Sequence, residues 1–220
     1  MSEYIIETIR NGFFETIHMT VFASVFAYIV GLPLGIILYA TAKGRILENK
    51  PVNFIIGLIV NIGRSLPFLI LLVLLIPVTR FITGSSIGTT ASIVPLTIGA
   101  IPIVARMVES SLCEVQPGII EAATSMGASP VYVIVHFVLP EATPSLLLGA
   151  AINIATILGY SAMAGVIGGG GLGAIALNYG YYRYKTDIMM IAVIILVVLV
   201  QIIQEFWMKL SRATDKRVRN

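Results

Sequence analysis

Between Thr16 and Ala42 the chain carries no Asp, Glu, Lys or Arg, and from Ile188 to Val200 it consists wholly of Ile, Met, Ala, Val and Leu. The first stretch is long enough to cross the roughly 30 Å hydrocarbon layer as a helix, and the second is the middle of a longer apolar run that extends to about residue 207. At about 1.5 Å per residue some 20 residues suffice, and in lipid a helix satisfies its own backbone hydrogen bonds. Only 11% of the 220 residues are charged and 57% are hydrophobic, whereas soluble domains carry about a quarter charged residues. The expected fold class is therefore an all-α integral membrane protein. A single cysteine, Cys113, excludes a disulfide framework and a cysteine metal cluster, and its place near the polar loop suggests a buried or reduced thiol with no role of its own. In a chain this apolar the net charge of +3 matters through its distribution, and no nucleic-acid partner is expected. Glu3 and Glu7, in place of a basic flank, argue against a cleavable signal peptide.

Taken in order, residues 1–15 place Ile5, Ile6, Ile9, Phe13 and Phe14 near one face, which predicts a short interfacial helix. Five spans follow, at about 16–42, 52–78, 91–108, 139–164 and 188–207, within a single transmembrane domain covering 1–220. The second is interrupted by Asn61, Gly63, Arg64, Ser65 and Pro67. An arginine inside a span is costly unless it faces protein, water or head groups, so Arg64 either attracts a substrate carboxylate or serves as a structural charge near a kink. Pro95 and Pro102 are expected to kink or open the third span. The fourth carries Asn153, Thr156, Tyr160 and Ser161 among small residues that permit close helix approach. The run Gly168–Gly173 formally contains G-x-G-x-x-G. With no preceding strand and no following Lys-Ser/Thr, it reads as a flexible outer loop and not as a nucleotide site.

The longest polar interval, 109–130, holds Glu121-Ala122-Ala123-Thr124-Ser125-Met126-Gly127, followed by Leu139-Pro140. Gln116-Pro117 reads as a helix start. Ile119, Ile120, Ala123 and Met126 fall on one face, Gly127 ends the helix, and Pro130 is expected to prevent its resumption. The result is a short two-faced helix suited to docking.

This arrangement resembles the Glu-Ala-Ala loop of type I ABC-importer permeases, in which the corresponding segment is the cytoplasmic coupling helix. Asn61 to Phe68, Ile93 to Thr97, Ala105 to Glu109, and Gly159-Tyr160-Ser161-Ala162-Met163 through the glycines to Tyr179-Gly180-Tyr181 narrow the resemblance. They look like the permease subunits of bacterial methionine-uptake ABC importers. Phe137 stands where the family usually has isoleucine, an apolar-for-apolar change. The resemblance implies translocation of methionine, L and D, by two copies of the chain. It also implies two cytoplasmic ATP-binding subunits that hold ATP and Mg and carry the ATPase activity, and an external binding protein. Neither a catalytic residue, a metal nor a cofactor is expected on this chain. Glu121, Ala122, Ala123 and Gly127 would couple to the ATPase, while Asn153, Tyr160, Ser161 and Met163 would lie on the path or gate. Met163 reads equally as ordinary helix packing.

Topology follows from the basic residues. Lys43, Arg45, Lys50, Arg106, Lys209, Arg212, Lys216, Arg217 and Arg219 fall on one side, and Arg10, Arg80, Arg183 and Lys185 on the other. The positive-inside rule then places the N-terminus outside and the C-terminus in the cytoplasm, in the bacterial inner membrane. An ABC permease for another amino acid or small solute is the nearest alternative reading. An ion-coupled secondary transporter is opposed by the coupling motif and by the lack of inverted repeats or an evident intramembrane acid.

Overall fold

A computed structural model describes residues 3–215; Lys216, Arg217 and Arg219 of the basic tail lie outside the described residues. The first helix, α1, runs unbroken over Glu3–Thr41, so the expected interfacial helix and first span are one element. Nothing between Phe14 and Thr16 breaks a helix. The Thr16 and Thr20 hydroxyls bond back to the carbonyls of Gly12 and Thr16, both at 2.8 Å, and this satisfies them inside the same helix.

A turn at 42–49 leads into α2 (Lys50–Ser65), with Asn49 capping the Val52 amide and Pro51 in the first turn. At Leu66-Pro67 the chain turns through 102° into α3 (Phe68–Leu74). Pro67 cannot donate a helical hydrogen bond and disfavours helical backbone at Leu66, and Leu66 is accordingly extended. The short α4 (Ile76–Thr83) closes on Gly84, in the left-handed region at φ +76°. After a turn comes α5 (Thr89–Cys113), which continues through both Pro95 and Pro102. The expected opening of this span is not found, because α1, α2, α3 and α8 pack around it.

The polar interval forms α6 (Pro117–Ser125). Pro130 does not stop the chain but starts α7 (Pro130–Val133), occupying a first-turn position where its missing N–H costs nothing, with Ser129 capping Tyr132. A π-helical turn, Ile134–Val138, joins α7 to α8 (Leu139–Ala164). Pro140 explains it. Its ring has no N–H for a bond four residues back, and the chain widens so that the Leu139 N–H reaches Ile134 O. A 3-10 turn (Gly165–Ile167), the short α9 (Gly171–Ile175), a second π turn (Ala176–Tyr181) and α10 (Thr186–Thr214) complete the order.

Among the described residues, four helical runs are long and apolar enough to cross a membrane: α1, α5, the continuous run Pro130–Ile167, and α10. The bent pair α2–α3 makes a possible fifth. The centre is α5, flanked by α1 and α8, with α10 against the outer side of α8. Close approach of α1 to α5 depends on Gly31 and Gly35. A Cβ at Gly35 would stand 2.5 Å from the Ala105 carbonyl oxygen, and one at Gly31 2.8 Å from Val104. Gly149 of α8 likewise receives the Met107 thioether of α5, which a Cβ would overlap.

Candidate functional site: docking helix, cleft and gate

The short helix α6, expected to dock a partner, is held by one edge. Ala123 is buried, and Ile119 and Ile120 pack with Val115, Val133 and Phe137 in the main apolar core. Glu121, Ala122, Thr124 and Ser125 face outward. Met126 was expected on the packed face, yet it is 74% exposed. It occupies the C-cap, where the helix is already closing, and Gly127 follows in the left-handed region at φ +81°. The Ala128 N–H then reaches back to Ala123 O at 3.2 Å, the long closing bond of a Schellman ending. The helix thus offers Ala122, Met126 and the Glu121 carboxylate to solvent while remaining fixed to the apolar core.

At the opposite end of the continuous run lies the second group of expected site residues. The Tyr160 ring stacks on Phe68, with centroids 4.1 Å apart and planes 4° from parallel, so α8 is tied to the bend after α2. Met163 is 43% exposed and Gly159 is open, with nothing near its hydrogen-bearing face. Ile152, Gly159 and Met163 line one side of α8 at helical spacing. Ser161 and Asn153 are turned inward. The Ser161 hydroxyl donates to Leu158 O at 2.7 Å, and Asn153 Nδ2 to the Tyr28 hydroxyl at 3.3 Å. Asn153 thus joins α8 to α1, whereas the Ser161 bond stays within α8.

Beyond Gly165 the glycine run is not a flexible loop. The Gly171 N–H donates to a Glu15 carboxylate oxygen at 2.7 Å, the Leu172 N–H to Thr16 Oγ1 at 2.9 Å, and the Gly88 N–H to Gly168 O at 3.0 Å. Gly168, Gly170 and Gly171 all adopt positive φ, and the Cα of Gly173 lies directly against Ala162. The run is a packed turn that folds α9 back onto the end of α8. Sequence reasoning missed the role of Glu15. Its signal was an acid at a span boundary in a chain with orphan amides to satisfy at a glycine turn.

Between α2, α5 and α8 lies an open cleft of about 570 Å³, lined by Arg64, Ile103, Arg106, Met107, Glu109, Ser110, Cys113, Ile152 and Asn153. Cys113 is exposed there and unbonded, not buried. All three nitrogens of the Arg106 guanidinium are engaged. It donates to Glu109 at 2.6 Å, to Asn61 Oδ1 at 2.8 and 3.2 Å, and to Gly57 O at 3.2 Å. The pair is three-quarters buried, and this fork geometry clamps α5 to α2. Arg106, Glu109 and Asn61 were visible in the sequence without a stated role; an opposite-charge pair three apart and a lone Asn in an apolar run were the available signals.

Long apolar helices around an open cleft, with a short exposed helix fixed to their core, define a multi-spanning membrane protein. Residues 31–219 match the family described as the binding-protein-dependent transport system inner membrane component. The chain belongs to that family and is a permease subunit of an ABC transporter. Among its relatives, a probable D-methionine transport system permease protein MetI of Vibrio cholerae is 53% identical over 92% of this chain and 90% of its own length. A protein of the same description from Pasteurella multocida is 43% identical over 99% and 100%. A solved structure of inward-facing conformations of the MetNI methionine ABC transporter contains a chain 45% identical, matched over 98% of this chain and 100% of that one with a TM-score of 0.96. An amino acid ABC transporter at 22% identity and TM-score 0.77 shares the fold.

Proposed function

We propose that this chain is the membrane-spanning subunit of an ATP-driven importer that carries methionine, in both L and D forms, across the bacterial inner membrane. Two copies form the path, two cytoplasmic ATP-binding subunits dock on the two α6 helices and hold ATP and Mg, and an external binding protein delivers the substrate. The N-terminus lies outside and the C-terminus inside, in keeping with the basic residues around Lys43, Arg45 and Lys50 and along the end of α10. Glu121, Ala122, Ala123 and Gly127 form the coupling element. Tyr160, Ser161 and Met163 stand near the gate, and Asn153 ties the path-lining helix α8 to α1 through the Tyr28 hydroxyl.

The observation that carries this reading is α6 itself, anchored by Ala123 in the same apolar core that contains Ile157 and Ala164 of α8. A partner that moves α6 must move this core or break it. ATP does work only if it binds one arrangement of the assembly more tightly than the other. Closure of the ATP-binding pair brings the two α6 helices together, and hydrolysis releases them.

The test is uptake of labelled methionine into vesicles holding the chain with its ATP-binding subunit and binding protein, wild type against Ala122→Trp. Ala122 is exposed, so the larger ring leaves the fold intact and obstructs docking. Wild type accumulates methionine only with ATP, and the variant neither retains the ATP-binding subunit nor accumulates substrate. Transport of a different loaded amino acid instead of methionine would overturn the substrate assignment. Uptake without any ATP-binding subunit would overturn the whole reading.

A further inference from the structure

We infer that the cleft between α2, α5 and α8 is an aqueous binding site for a zwitterionic amino acid, with Arg64 as the anchor of its carboxylate. This rests on the permease reading above. Arg64 lies fourteen residues beyond Lys50 on one unbroken helix, roughly 21 Å along its axis. A guanidinium that far from the Lys50 end stands within the depth of the hydrocarbon layer, where a charge persists only beside water, protein dipoles or a counter-ion. No described residue hydrogen-bonds or ion-pairs with it, and it lines the open cleft. Water in that cleft is what solvates it.

The neighbouring charges explain why Arg64 is available. Arg106 faces the same cleft, but its donors are spent on Glu109, Asn61 and Gly57. The Arg106–Glu109 pair is internally neutral, so the cleft carries the uncompensated positive charge of Arg64. A guanidinium matches a carboxylate with two parallel N–H bonds. Ile103, Met107 and Ile152 line the same space with unbranched or aliphatic side chains, a surface suited to an apolar amino-acid side chain.

The experiment measures binding of labelled methionine to the complete complex of this chain with its ATP-binding subunit in lipid nanodiscs, without the binding protein, and uses methioninol, which lacks the carboxylate, as competitor. Saturable binding is expected, displaced by unlabelled methionine and at least tenfold less well by methioninol. Arg64→Gln weakens it about tenfold or more, and Arg64→Lys, which keeps the charge and loses the fork, falls between. Each variant is first shown to co-purify with its ATP-binding subunit as a single species. Absence of saturable binding, equal competition by methioninol, or unchanged affinity in Arg64→Gln would each overturn the site. An Arg64 that only meets lipid head groups or caps helix carbonyls predicts that last result. Coupled uptake by the wild-type complex separates the two levels: if uptake persists while binding ignores Arg64, this site fails and the permease reading stands.

Discussion

Gly118 and Gly127 stand at opposite ends of α6 and differ in what they require of the backbone. At both, an added Cβ would meet nothing, but only Gly127 has a positive φ, +81°. An L side chain there costs about 1–2 kcal/mol, while replacing a helical glycine by alanine at Gly118 gains up to about 1 kcal/mol. Gly127→Ala should therefore lower the melting temperature of the purified complex and its ATP-dependent uptake, while Gly118→Ala leaves uptake intact and raises or preserves the melting temperature. Equal effects would mean that space, and not backbone conformation, fixes the glycine. Gly127 could be read from the sequence because the end of a two-faced helix demands such a residue. Met126 was misplaced by the same periodicity, since counting positions does not show that the helix closes one residue earlier. The partners of Arg106 were hidden for another reason. Asn61 is forty-five residues away, and no local pattern reveals which span will lie beside which.

At the scale of elements, apolar length and proline positions gave most helices, while one error came from treating Pro130 as a stop. Pro130 opens a helix, Pro95 and Pro102 are accommodated inside one, and Pro140 widens a turn without ending it. The glycine turn before α9 shows the converse, because residues that favour disorder in isolation are fixed by the distant Glu15 and Thr16. Glu15→Ala should release this turn. A hydrogen bond to a charged group contributes about 1.5–3 kcal/mol, so amide exchange at Gly171 should quicken by at least tenfold. Glu15→Gln, which retains an acceptor, should show a smaller change. Unaltered exchange in Glu15→Ala would assign the turn to Thr16 and to the contact of Gly173 with Ala162.

For the whole molecule, lipid dictated the helical class before any motif was considered, and α6 was legible as a short two-faced helix in the longest polar interval. Which apolar faces meet lipid and which meet another protein was not legible, because both are built from the same residues. The α8 face with Ile152, Gly159 and Met163 is a place where this can be decided. Gly159→Phe adds a ring where this chain has open space, so helix content and the stability of the isolated chain should change by less than about 0.5 kcal/mol. Cross-linking and mass of the solubilised complex should nevertheless show loss of the two-copy assembly, and uptake should cease. Retained association would place this face toward lipid. The uninterrupted helical run Pro130–Ile167 has a mechanical consequence as well. Pro130 follows the docking helix closely, and Met163 lies thirty-three residues on, roughly 50 Å away along the axis. A stiff rod of that length is a lever arm: tilted by about 5° about its Pro130 end, it sweeps its far tip through roughly 4 Å. A displacement too small to reshape α6 is thereby amplified to the width of a side chain at the Met163 end of the run.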